Sequence, residues 1–110
     1  MTNSILNAVK LHIGISEDCD DFDARLINHI NTALFVAYQI GVGTSPKVIE
    51  SQNETWEELF PNIERIPALK TYIGDKVQFA FDPPLSGSAM EALKNRIAEF
   101  ESRINYEVDF

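Results

Sequence analysis

Residues 22–40 read FDARLINHINTALFVAYQI, and this stretch decides the fold class. Phe22, Leu26, Ile30, Ala33, Leu34 and Ala37 recur at threes and fours, the period that lines one face of an α-helix. Gly41 follows where a left-handed C-cap is expected. Just upstream, Glu17-Asp18-Cys19-Asp20-Asp21-Phe22-Asp23 puts five carboxylates at the mouth of this helix, where negative charge complements the helix dipole. The pattern predicts a core helix over residues 21–40.

Working outward, Asn3 or Ser4 can cap a shorter helix over residues 3–13, with Ile5, Leu6, Val9 and Ile13 on one face and Gly14 as its stop. On the other side the pattern dissolves across residues 42–62. Lys47-Val48-Ile49 reads as a short extended piece, and Thr55-Trp56-Glu57-Glu58 has capping-box spacing for a turn of helix at 55–60. A loop this long inside a small domain is often functional. Pro67 suits the first position of a third helix over 67–81, whose stripe is Leu69, Ile73, Val77 and Ala80. Gly74 weakens that helix by about 1 kcal/mol relative to alanine. Phe81-Asp82-Pro83-Pro84 ends it, because two prolines remove two backbone donors and bias Asp82 away from helical dihedrals. Ser88-Ala89-Met90-Glu91 has capping-box spacing and opens a last helix over 88–105, with Met90, Leu93, Ile97, Phe100 and Ile104 inward and Glu99–Arg103 paired outside. The inward seam spans about two heptads, short for a coiled coil, so burial on the other helices is expected. The whole reads as one all-α domain over residues 1–110, a bundle of about four helices.

The chain has 110 residues, 45% of them hydrophobic and 24% charged, which is globular composition. Its formal net charge of −8 argues against tight binding of phosphate backbones or anionic membranes. A single cysteine, Cys19, forms no internal disulfide and suits a reducing compartment. The N-terminal residues lack the basic and apolar segments of a secretory signal, and the longest apolar run, residues 33–40, is far short of the ~20 residues of a membrane span.

The chemistry-bearing residues do not assemble into a motif. Counting a calcium loop from Asp18 puts Phe22 at position 5 and Asp23 at position 6, where an oxygen ligand and glycine are required. His12 and His29 have no Cys or carboxylate at metal-ligand spacing, so no metal or other cofactor is expected. Cys19 lies among carboxylates, which disfavour the thiolate. Gly41-Val42-Gly43 is not followed by a phosphate-binding helix. No titratable pair is spaced for acid–base catalysis, and an enzyme would need a site assembled across helices from residues such as His12, His29, Asp23 and Glu58. Trp56 stands out in its acidic loop, as an anchor either on a partner or on its own core.

The order of helices, the segment Thr71-Tyr72-Ile73-Gly74-Asp75-Lys76-Val77 running into Phe81-Asp82-Pro83-Pro84, and the terminal Glu99-Phe100-Glu101-Ser102-Arg103-Ile104-Asn105 resemble the head-tail connector family of tailed bacteriophages. The resemblance covers most of the chain, more specifically in its C-terminal half. Gly74-Asp75 and Gln78 depart from the more strongly helical, basic stretch expected there. The resemblance implies an assembly protein with no cofactor and no catalytic residue. Such adaptors form a homo-oligomeric ring of about a dozen copies beneath the portal protein and receive the stopper or tail, in the virion at the head–tail interface. It further implies that the 42–62 loop, with Val48, Ile49, Trp56 and Phe60, makes subunit contacts. A C-terminal segment, residues 105–110, with Asn105, Tyr106, Val108 and Phe110, would dock on the portal. Carboxylates then suit a channel through which DNA slides, since like charge repels phosphate over ~8–10 Å at physiological salt. The charge also serves solubility. The rival reading is a small acidic regulator that mimics DNA and fills a basic cleft; its carboxylates would be spaced along one face.

Overall fold

The computed structural model describes residues 4–42, 45–61 and 66–106. The chain forms α1 (Ile5–Ile13), α2 (Asp23–Gln39), the single turn α3 (Trp56–Leu59), α4 (Ile66–Phe81) and α5 (Gly87–Tyr106). Among the described residues there is no strand, only an isolated antiparallel bridge between Ser4 and Thr55. The expected all-α bundle is present, with the four main helices within two residues of their predicted bounds.

Local chemistry sets most of the ends. Ser4 caps α1, its Oγ accepting the Asn7 N–H at 3.2 Å. Gly14, at φ 85°, terminates it: the Gly14 and Ile15 amides return to the carbonyls of Leu11 and Lys10. Gly41, at φ 119°, does the same for α2, with the Gly41 and Val42 amides on the carbonyls of Tyr38 and Ala37. Thr55 and Glu58 form the capping box of α3. Two boundaries correct the sequence reading. The cap of α5 is Ser86, not Ser88: Ser86 Oγ accepts the Ala89 N–H at 3.1 Å and its carbonyl the Met90 N–H at 3.0 Å. At the start of α2 the N-cap is Phe22, which makes no side-chain cap. Of the five carboxylates only Asp23 lies in the first turn.

α4 is the centre of the molecule. It packs against α1, α2 and α5, and α1 packs on α2. Ile5, Leu6 and Val9 of α1, Leu26, Ile30 and Leu34 of α2, and Leu69, Ile73 and Val77 of α4 close one core. Among the described side chains the predicted stripes hold with two exceptions, Phe22, which is 36% exposed, and Ala80, which faces solvent; the side chain of Ile104 lies outside the described residues. Both lie at helix ends, and Phe22 is covered on one side by Phe81 of α4, whose ring meets it edge-on at 5.5 Å. α5 packs chiefly against α4 and, among the residues whose side chains are described, buries Leu93 and Ile97, with Met90 and Phe100 half-covered.

Candidate functional site

The long loop is tied down along its length. Asn31 of α2 reads the backbone of Ile49 as a strand would: Ile49 N–H donates to Asn31 Oδ1 at 2.8 Å, and Asn31 Nδ2 donates to the Ile49 carbonyl at 3.0 Å. Glu54 gathers the next turn, accepting the Glu50 N–H at 2.8 Å, the Ser51 N–H at 3.2 Å and the Ser51 hydroxyl at 2.8 Å. Partial burial opposes the charge of Glu54, but these donors prevail and hold its carboxyl below the usual carboxylate value. The Ile5 N–H donates to the Glu54 carbonyl at 3.0 Å, so the loop is stitched to the start of α1.

This ordering turns three of the four loop candidates inward. Ile49, Trp56 and Phe60 are buried, and Trp56 is wholly covered, so its anchor is the protein's own core. The indole N–H of Trp56 has no acceptor among the described residues. Val48, 61% exposed, is the one loop candidate available to another molecule. Of the C-terminal candidates, Asn105 and Tyr106 end α5, while Val108 and Phe110 lie outside the described residues.

The residues from which a catalytic site would have to be drawn are separately engaged. His12 Nε2 bonds Asp75 Oδ1 at 3.0 Å, His29 packs edge-on to Phe81, Asp23 pairs with Lys10 at 2.7 Å, and Glu58 closes the α3 cap. No group of three or more His, Cys, Asp or Glu among the described residues is placed to hold a metal ion. No helix among them is long and apolar enough to cross a membrane.

Two buried charges carry most of the polar architecture, and sequence reasoning singled out neither for this role. Lys10 is wholly buried on α1, with Nζ 2.7 Å from Asp23 Oδ1 and 2.8 Å from the carbonyl of Cys19. It pins the acidic 14–22 loop to the α1–α2 corner and leaves Glu17, Asp18, Asp20 and Asp21 in solvent. Asp75 is buried on α4, where His12 of α1 and Arg96 of α5 both reach it, the Arg96 Nε at 3.2 Å and the other guanidinium nitrogen at 3.3 Å. Burial would raise the Asp75 pKa; the two donors outweigh it and hold it below the usual value. Gly74 makes the junction possible, because a Cβ there would stand 2.6 Å from the His12 ring. The signal was present in the sequence as Gly74-Asp75, the departure from the expected helical, basic stretch.

Further along the hairpin, the ring of Tyr72 stacks on Phe100 at 4.4 Å and its hydroxyl donates to Glu101 at 2.8 Å. Burial first, and then Glu101, push the phenol far up, so it stays a neutral donor. Lys76 approaches the same carboxylate at 3.5 Å. Between α4 and α5 a groove of about 240 Å³ opens over this stack, with Ala68 and Thr71 on one wall and Arg96 and Arg103 on the other.

Against known proteins, residues 5–110 match the family model described as Phage connector protein. The chain belongs to the phage connector family. No curated protein and no solved structure matches it. The family assignment makes this connector a phage structural protein, and the all-helical fold agrees with the bundle expected from the sequence.

Proposed function

We propose that this connector is the adaptor that forms a ring beneath the portal and joins the DNA-filled head to the stopper or tail. The observation that carries the reading is the family match, which runs over nearly the whole chain. In this reading the protein assembles rather than catalyses and needs no cofactor. Val48 is the exposed contact of the 42–62 loop with the neighbouring subunit, and Ile49, Trp56 and Phe60 serve that contact from within by fixing the loop. Residues 105–110, with Asn105, Tyr106, Val108 and Phe110, dock on the portal. DNA passes without being held. The exposed carboxylates Glu17, Asp18, Asp20, Asp21, Glu57 and Glu58 support that part of the reading, since a surface of their sign repels phosphate within a Debye length.

Native mass spectrometry of the connector with and without its cognate portal tests the reading. Rings of about a dozen copies on the portal are expected. A connector that neither self-associates at high concentration nor binds portal or tail partner would sink it. Removal of residues 107–110 should leave the helical signal intact and weaken portal binding; undiminished binding would move the docking segment elsewhere.

A further inference from the structure

The turn between α4 and α5 presents Leu85 entirely to solvent, at 104% of its reference exposure. A single exposed leucine is ordinary, but this one is rigidly held. Asp82 N–H closes the last turn of α4 on the Gln78 carbonyl at 2.9 Å, Pro83 and Pro84 fix their own φ, and Ser86 caps α5. Little conformational freedom is left to lose when the knob is covered.

The same hairpin carries a complementary hollow. The groove of about 240 Å³ has an apolar floor, the stacked rings of Tyr72 and Phe100, and room for an aliphatic side chain. Its rim carries Arg96 and Arg103, each beside a carboxylate of its own, Asp75 and Glu99. Arg103 is 71% exposed and meets Glu99 only at 3.6 Å, so its guanidinium keeps free donors for a further carboxylate. Asp82, exposed three residues before Leu85, supplies one.

Knob and groove cannot meet within one chain. From Ala68 to Phe81 is about 20 Å of helix at ~1.5 Å per residue, and the knob lies beyond Phe81. We propose that Leu85 of one copy seats in the α4–α5 groove of the next, with Asp82 facing Arg103, so that connectors interlock head to tail. A heterologous contact of this kind closes a ring when its rotation closes and a filament when it does not. The proposal rests on the ring reading above and specifies the contact that builds the ring.

Disulfide trapping on the full-length chain tests it. In a Cys19→Ser background, Leu85→Cys with Ala68→Cys on the groove wall should give an intermolecular ladder of trimers and larger species when assembled on the cognate portal. Each single-cysteine variant should stop at dimers. An intramolecular bridge is excluded by the span, since a disulfide joins Cα atoms within ~7 Å. Leu85→Asp should leave thermal unfolding unchanged, because Leu85 covers nothing of its own chain. It should weaken each contact about tenfold or more and abolish rings. Rings that form without the cross-link, or that tolerate Leu85→Asp, overturn the knob-and-groove contact and leave the ring reading standing. A cross-link from Ala68→Cys to Phe110→Cys within a monomer also overturns it, by giving the groove to the chain's own tail. A wild-type chain that forms no ring on the portal overturns both.

Discussion

The protein has two halves built on opposite principles, and α4 belongs to both. On one side, α1, α2 and the 45–61 loop close with α4 on a continuous apolar core that buries Trp56 wholly. On the other, α5 rests on α4 through Leu93 and Ile97, with Asp75–Arg96, the approach of Tyr72 and Lys76 to Glu101, and one aromatic stack beside them. The charge divides along the same line. Residues 4–61 carry nine of the 17 Asp and Glu against three Lys and Arg, whereas residues 66–106 carry five of each. The first half is therefore a stable, acidic body. The second is a lightly buried arm whose polar clasps and open groove leave surface for other molecules. In the proposed ring, the groove and turn of the arm are covered without disturbing the core of the first half.

The comparison makes the first half the costlier to damage. Trp56→Ala should lower unfolding free energy by about 3–5 kcal/mol, the cost of emptying a large core site, in urea denaturation followed by circular dichroism. An effect under about 1 kcal/mol would mean the loop is not part of the core. Lys10→Met should cost about 3 kcal/mol by leaving Asp23 without its cation, and adding Asp23→Leu should recover part of it. Equal loss in the single and double variants would refute the clasp.

At the junction of the halves, Gly74→Ala should destabilise by about 1–3 kcal/mol although alanine is the better helix former, because its Cβ displaces the His12 ring. His12→Ala should abolish the penalty in a double-mutant cycle, and a stabilising Gly74→Ala would disprove the close approach. For the arm, the sign of the acid response follows from Asp75. Its folded pKa is depressed, so its contribution is present above the ordinary aspartate value of 3.8 and is lost as pH falls through the lower folded value. Asp75→Asn should therefore flatten the acid limb of a thermal-stability profile, and an unchanged limb would show that other carboxylates dominate it. The smallest effect belongs to the surface: Glu99→Ala removes an exposed i,i+4 pair with Arg103 and should cost about 0.2–0.5 kcal/mol.

Much of this fold is legible in the residues because helices are local. The 3.6-residue period of α2, the glycines after α1 and α2, the Thr55–Glu58 box and the double proline after Phe81 act within a turn or two of where they stand. The errors are of one kind. The spacing of Ser88 to Glu91 points to Ser88 as the cap of α5, and the backbone instead uses Ser86, two residues earlier. The acidic run reads locally as a helix mouth, yet only Asp23 enters the first turn, where Lys10 pairs with it across the α1–α2 corner. The candidate contacts divide similarly. Val48 and Ile49 are neighbours of equal character, and Asn31, 18 residues before Ile49, decides that Ile49 is buried and Val48 exposed.

The sequence by itself determined that the chain is helical, where its helices start and stop, and to which family it belongs, because periodicity, caps and breakers are short-range and the family signal is carried by residue order. Only the tertiary structure decided that a buried lysine and a buried aspartate organise the polar framework, that Gly74 is a docking surface for a histidine ring, and that the long loop is part of the core. The reason is distance along the chain. Asp75 meets His12 across 63 positions and Arg96 across 21, and no local rule reports which side chains the packing of three helices brings to one point.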